Sequence, residues 1–371
     1  MPRVVLISGH YLRSRRRAGF HWLADAWWRG GWEVVFVTAA LSRLSRLRGD
    51  YRFAYPVRRE ANRLVWQQPR LGSFVWYTPY HPANLRIRWL NRLASGLFRR
   101  YADLPLGEVE PSVAAADLIV FESTPALLLF DRCKRLNPSA RFVYRVSDDL
   151  HLLNNHPVVL DAEAAFAPRF DLLSTPSDAL HRRFAGLPNA RRHDHGVRKA
   201  LFDAASASPY DDRRPVNAVF IGVSRLDVDF LDRAARRCPD WGFHVIGPLA
   251  GLPRRDNVIA HGELAFERTV PFVQHADVGL HTLQAVPGVE VFTDSLKVIQ
   301  YTYCRLPIVA PELLRCGRPN MLYYRPGDDA SIRRALDAAA TFGRTTIRTD
   351  GIYSWDELAA VLAGEMPSSS Q

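Results

Sequence analysis

The sequence predicts an α/β fold built from two parallel-sheet domains, and three observations predict it. Short buried-type apolar runs alternate with helix-length segments in both halves of the chain. That alternation argues strands joined by helical crossovers, hence parallel sheets covered by helices. A stretch of small, polar and proline residues, 199–215, separates the halves. At 371 residues the chain also exceeds what one hydrophobic core usually supports.

The first half opens with Val4-Val5-Leu6-Ile7-Ser8-Gly9, a buried-type strand ending in glycine. A loop bearing Arg13, Arg15, Arg16 and Arg17 leads to a helix over 20–29, which carries Trp22, Trp27 and Trp28 and stops at Gly30-Gly31. Residues 32–38 form the next strand. No G-x-G-x-x-G accompanies this opening, so the dinucleotide fingerprint is missing. Residues 63–78 are strand-like, and 86–101 predict an amphipathic helix with Ile87, Leu90, Leu93, Leu97 and Tyr101 in one stripe. Strands follow at 117–121, 141–146 and 171–174, with helices over 125–136 and 177–184.

The strand 141–146 delivers Ser147-Asp148-Asp149 at its carboxyl end. Ligands of open parallel sheets bind at that edge, and a carboxylate there can serve as a general base. Either acid can equally cap a following helix; one can cap while the other does chemistry. His193-Asp194-His195 has a metal-like spacing, but no further ligand set accompanies it.

The second half repeats the pattern, with strands at 217–222, 243–246, 258–260, 278–282 and 308–310 and helices over 228–238 and 266–275. Glu263 follows a strand mouth, where a carboxylate can bond hydroxyls or a ribose. Asp227-Val228-Asp229 formally fits D-x-D but reads as a loop and helix start. Residues 277–311 read as strand, loop, helix, turn and strand. Thr293 or Asp294 caps that helix, whose apolar face is Leu296, Ile299, Gln300 and Tyr303. Lys297 lies in its first turn, and the chain has only two other lysines, Lys134 and Lys199. A helix N-terminus carries unpaired amides and partial positive charge, so this stretch suits a diphosphate. An ordinary crossover with a surface lysine fits the pattern as well.

The net charge is +11, yet residues 1–100 hold 19 arginines against four acids, Asp25, Glu33, Asp50 and Glu60. The basicity therefore belongs to one half, and a polyanionic surface is the expected partner. Basic helices with Trp and Leu on the opposite face suit an anionic membrane interface. No helix-turn-helix, zinc module or aromatic RNA-binding motif is present, which argues against nucleic acid. Cys133, Cys238, Cys304 and Cys316 lack metal-binding spacing and fit a reduced compartment. No run approaches the ~20 apolar residues of a membrane span.

Several segments together resemble the GumK-like inverting glucuronosyltransferases, glycosyltransferase family 70 of the GT-B superfamily. They are LSRLSRLRGD (41–50), IVFES (119–123), VYRVSD (143–148), HGV (195–197), FHVIG (243–247), VIAHGE (258–263) and DSLKVIQY (294–301). The resemblance implies a GT-B architecture, two Rossmann-like domains facing a central cleft. Residues 1–200 would bind acceptor and membrane, 201–215 would link, and 216–350 would bind the nucleotide sugar. Residues 351–366 would form a helix packing back on the first domain, and 367–371 a disordered tail.

The resemblance also implies transfer of glucuronate from UDP-glucuronate to a polyprenyl-diphosphate-linked oligosaccharide in exopolysaccharide synthesis. The enzyme would be peripheral on the cytoplasmic face of a bacterial inner membrane, with no metal and no cofactor. Asp148 would be the catalytic base. Glu263, Lys297, Ser295 and Gln300 would line the donor pocket, with Asp227 at its edge. Ser224, Leu264 and Leu296 would also contact the donor, each a departure from the residue usual in the family. Arg305 takes a turn position commonly filled by glycine. Other readings are a GT-B transferase with another UDP-sugar, a retaining one, or a sugar-nucleotide epimerase.

Overall fold

The computed structural model describes residues 1–15, 17–211, 214–223, 225–286 and 288–365. The chain divides into two compact units. The first comprises Met1–Pro176, Leu180–His193 and Trp355–Gln371; the second comprises Ser177–Ala179 and Asp194–Ser354.

The first unit holds strands β1 (Arg3–Ser8), β2 (Glu33–Ser42), β3 (Leu64–Gln68), β4 (Leu71–Thr78), β5 (Leu118–Glu122), β6 (Arg141–Arg145), β7 (Leu172–Thr175) and β8 (Ala190–Arg192). They form one sheet in the order β3-β4-β2-β1-β5-β6-β7-β8. All neighbours are parallel except β3 on β4. Val4, Val5, Leu6 and Ile7 of β1 are buried, as expected of a central parallel strand covered on both faces. The helix Gly19–Arg29 buries Phe20, Trp22, Leu23 and Trp27, and Gly31 beyond it adopts φ +88°. The last helix, Trp355–Ala363, packs on it, and Arg29 pairs with Asp356 at 3.1 Å.

The second unit holds β9 (Val216–Ile221), β10 (Trp241–Ile246), β11 (Val258–Gly262), β12 (Val278–Leu280), β13 (Ile308–Pro311) and β14 (Met321–Tyr324). This sheet is wholly parallel, in the order β11-β10-β9-β12-β13-β14. Each sheet reverses its winding once, between β1 and β5 in the first and between β9 and β12 in the second. A crevice opens at such a reversal, beyond the carboxyl ends of the strands.

Three sequence readings change, and a fourth is not described. The composition-marked stretch 199–215 is attached to the second unit: Lys199–Asp203 is helical, and Phe202 and Tyr210 enter its core. The helix after β12 spans Leu296–Tyr303, and its cap is Ser295, not Thr293 or Asp294. Asp294 is instead drawn to Arg318, with Oδ1 2.6 Å from Nε. That helix buries Val298, Ile299, Tyr301 and Thr302, while Leu296, Gln300 and Tyr303 are only half-buried. Of the face read as its core side, only Ile299 is buried. The tail 367–371 lies outside the described residues.

Candidate active site

Each sheet carries one cluster of functional side chains at its carboxyl edge. In the second unit, hydrogen bonds tie the strand ends together. Gly222 N donates to Ile246 O at 3.0 Å, and Gly247 N donates to Gly262 O at 2.7 Å. Gly247 holds φ +145°, and a Cβ on it would lie 1.8 Å from Gly222 O, so only glycine permits this approach. The ends of β9, β10 and β11 therefore form one ledge, and Glu263 and Leu264 follow directly on it. Glu263 is exposed; Leu264 packs partly on the core.

The Leu296–Tyr303 helix is pinned to that ledge by Tyr301. Its hydroxyl donates to Val219 O at 3.1 Å and accepts from Ile221 N at 3.2 Å. Gly279 makes room for the ring, since a Cβ there would meet Tyr301 Cδ2 at 2.5 Å. One turn earlier, Lys297 Nζ lies 3.9 Å from the Phe220 ring centroid. This ammonium has no anionic partner among the described residues. Although the side chain keeps some exposed surface, burial pushes its pKa down to about 7. The first-turn amides of Leu296 and Lys297 have no intrahelical acceptor. A concentrated, unpaired positive charge thus sits where the sheet reverses.

Three buried polar atoms beside this helix, Ser295 Oγ, Thr282 Oγ1 and His281 Nδ1, lack a hydrogen-bond partner among the described residues. His281 Nε2 lies 2.9 Å from Phe292 O, and a carbonyl only accepts, so Nε2 carries the proton and Nδ1 is a bare acceptor. Burial, then the charge of Lys297, holds this histidine neutral. Sequence reasoning passed over His281 and Thr282. Their place at the end of a central strand was the available signal.

Asp227 is bonded within the fold. It caps the helix Val228–Arg237 by accepting from Phe230 N at 3.0 Å, and its other oxygen accepts from the Tyr324 hydroxyl at 3.0 Å. Its N–H donates to Thr282 O at 2.9 Å, which joins the loops after β9 and β12. Gln300 lies one turn along the helix from Lys297 and is half-buried. Ser224 lies outside the described residues. Arg305 turns the chain at φ +56°.

In the first unit the two adjacent acids separate. Asp149 Oδ1 accepts from His151 N at 2.8 Å and pairs with Arg183 at 2.8 Å. Arg183 is held in turn by Glu163 at 2.9 Å. Asp149 therefore caps a turn and is committed to an ion pair. Asp148 is half-buried and lines a cavity of about 630 Å³. Ser123 Oγ, at the end of β5, accepts from Ser147 N at 3.0 Å and so fixes the start of that loop.

Glu122 and His10 line the same cavity. Glu122 is buried and accepts from Ser8 Oγ at 2.5 Å and Gly9 N at 3.0 Å, while its other oxygen is 3.5 Å from His10 Nε2. Neither was singled out from sequence as a site residue, although His10 directly follows the central strand. His193 and Asp194 are bonded elsewhere: His193 Nδ1 is 3.0 Å from Ser174 Oγ, and Asp194 pairs with Arg318 at 2.5 Å. Among the described residues no three His, Cys, Asp or Glu side chains converge as a metal site.

The family described as glucuronosyltransferase GumK, N-terminal domain, matches residues 6–176. The chain is 32% identical over 353 residues to a UDP-glucuronate:glycolipid 2-beta-glucuronosyltransferase of Xanthomonas campestris pv. campestris, covering 94% of this chain and 86% of that one. Among solved structures it resembles Anabaena Alr3699/HepE in complex with UDP and glucose, with TM-score 0.58 and 15% identity over 97% of this chain and 95% of that one. It also resembles AviGT4, a glycosyltransferase involved in avilamycin A biosynthesis, with TM-score 0.51 and 14% identity over 98% of this chain and 99% of that one. These two likenesses establish the GT-B fold. The protein is a glycosyltransferase, and it belongs to the GumK glucuronosyltransferase family.

Proposed function

We propose that this protein transfers glucuronate from UDP-glucuronate to a hydroxyl of a polyprenyl-diphosphate-linked oligosaccharide, with inversion, in exopolysaccharide synthesis. The observation that carries the reading is the division between the two adjacent acids. Asp149 is bound to Arg183, whereas Asp148 faces a cavity large enough for a sugar.

In this mechanism the acceptor oxygen attacks the anomeric carbon in line with the departing UDP. Asp148 removes the hydroxyl proton as the new carbon–oxygen bond forms and the bond to the β-phosphate breaks. Lys297 and the amides of the Leu296–Tyr303 helix stabilise the charge that collects on the diphosphate. This positive charge lets the reaction run without a metal or cofactor. Ser295, Leu296 and Gln300 bound the nucleotide subsite, Glu263 and Leu264 the sugar side, and Ser224 and Asp227 its edge.

A lipid-linked acceptor requires a place at a membrane. The helix Arg88–Arg99 leaves Trp89, Leu93 and Leu97 exposed at 62%, 73% and 50%, and packs inward through Asn91 and Phe98. Exposed apolar side chains beside arginines favour an anionic bilayer surface. No described helix is long and apolar enough to cross a membrane. The proposed location is the cytoplasmic face of the bacterial inner membrane, held peripherally.

A screen of UDP-sugars against membrane extracts containing lipid-linked oligosaccharides tests this reading. UDP-glucuronate should give a β-linked product, read from the anomeric proton coupling. Consumption of another UDP-sugar in its place would overturn the donor assignment. An α-linked product would overturn inversion, and turnover of the nucleotide sugar alone would point to an epimerase.

A further inference from the structure

The cavity that holds Asp148 is also lined by two arginines whose guanidinium groups have no partner among the described residues. Five basic side chains line it, and three are committed. Arg52 is bound to Asp50 at 2.6 Å and to the carbonyls of Gly9, Ala39 and Ala40. His81 Nδ1 is 2.8 Å from Ser42 Oγ, and His10 faces Glu122. Arg48 and Arg86 have no ion-pair or hydrogen-bond partner for their guanidinium groups among the described residues.

Arg86 is held in place at a cost. It adopts φ +65°, a left-handed conformation unfavourable for a side chain of this size. A network imposes it: Asn84 Oδ1 accepts from Arg86 N at 2.7 Å and from Asn91 Nδ2 at 3.0 Å. Asn84 Nδ2 donates to Asn154 Oδ1 at 3.0 Å and to Asn155 O at 3.2 Å, tying this loop to the one that follows Asp148. Strain of this kind persists where the surroundings over-determine a backbone, and it concentrates at ligand clamps. Exposed Tyr51 and Leu153 line the same cavity. The cavity therefore presents two guanidinium forks beside apolar surface.

We propose that Arg48 and Arg86 form a subsite for a diphosphate that bears an apolar chain, with the chain running over Tyr51 and Leu153. Guanidinium groups suit the oxygens of a diphosphate, and both of these line one cavity whose nearby apolar surface distinguishes a lipid diphosphate from a free one. The subsite rests on the reading of Asp148 as the base acting on a lipid-linked acceptor. It adds that the diphosphate of that acceptor is gripped in the same cavity as the base, which fixes how far from the lipid the reacting hydroxyl lies.

The test is a titration with farnesyl diphosphate, with UDP kept saturating so that the nucleotide subsite is filled. Wild type should bind it at least tenfold more tightly than inorganic diphosphate or farnesol. The double variant Arg48→Gln, Arg86→Gly should lose at least tenfold in affinity. Glycine accepts the positive φ at 86, so its melting temperature should not fall. The pair Arg92→Gln, Arg100→Gln, which does not line the cavity, should bind as wild type does. Equal binding by the cavity variant, equal loss in the control pair, or inorganic diphosphate binding as tightly would each overturn the subsite. UDP affinity is read separately: its absence in wild type would count against the UDP-sugar donor reading, and its retention in the cavity variant isolates the subsite.

Discussion

Lys297 and Phe220 are stacked, with the lysine Nζ 3.9 Å from the ring centroid and no carboxylate bound to it among the described residues. An aromatic face attracts a cation but does not neutralise it. The charge is left for a ligand, and burial has already brought its pKa to about 7.

A pH dependence follows from that pair. Above about 7 the ligand-free enzyme loses the Lys297 proton, so UDP binding must take one up, and affinity falls by up to tenfold per pH unit. Calorimetry across pH 7 to 9 should show proton uptake in wild type and none in Lys297→Met. That variant should bind UDP about ten- to a hundredfold more weakly, the range for a hydrogen bond to a charged group. Without ligand the sign reverses. An unfolded lysine titrates near 10.4, so the unfolded state holds more protons between about 7 and 10, and the stability of the second unit rises with pH there.

Asp227 and Tyr324 supply a second prediction. Asp227→Ala removes a helix cap worth about 1 kcal/mol and strands the buried Tyr324 hydroxyl, at a further cost of about 1–3 kcal/mol. Asp227→Asn keeps Oδ1 as the acceptor for Phe230 N and turns Nδ2, a donor, toward the Tyr324 hydroxyl oxygen, so it should keep the cap and lose less. Denaturant unfolding of the two variants separates the outcomes; equal stability would show that the cap is not what the carboxylate contributes.

Trp89, Leu93 and Leu97 test membrane docking. Each is exposed, so replacing all three by serine should shift stability by no more than about 0.5 kcal/mol per site. Full burial of one such side chain is worth about 1.5–3 kcal/mol, and the exposed parts of the three amount to roughly two, so partition onto phosphatidylglycerol vesicles should weaken at least about a hundredfold. Unchanged sedimentation with vesicles would remove this helix from the membrane face.

Arg305 concerns stability alone. At φ +56° it strains the turn after the Leu296–Tyr303 helix. Arg305→Gly should stabilise the second unit by about 1 kcal/mol, read as a rise in its unfolding midpoint. A fall would mean that the side chain's contacts outweigh the strain.

Much of this arrangement is legible in the sequence because strands buried on both faces appear as unbroken apolar runs. Val4–Ile7 and Ala218–Phe220 announce themselves in this way. The rotation of the Leu296–Tyr303 helix is not legible. Apolar residues lie all round it, and the buried face is chosen by the bonds of Tyr301 to β9, far away in the chain. The sequence likewise presents Asp148 and Asp149 as equivalent neighbours. The tertiary placement of Arg183 commits Asp149 to an ion pair, while Asp148 lines the cavity. β14 escapes notice because its four residues lie between Arg318-Pro319-Asn320 and Arg325-Pro326-Gly327, which read as loop. Arg48 and Arg86 are lost among the 19 arginines of residues 1–100, since composition cannot say which of them are left unpaired.

The central claim is that Asp148 is the base. Transfer from UDP-glucuronate to lipid-linked oligosaccharide, measured with Asp148→Asn beside wild type, tests it most directly. The account predicts a loss of about 10²–10⁴ in turnover, the usual contribution of a general base, with UDP affinity unchanged. Turnover by Asp148→Asn within tenfold of wild type would contradict it.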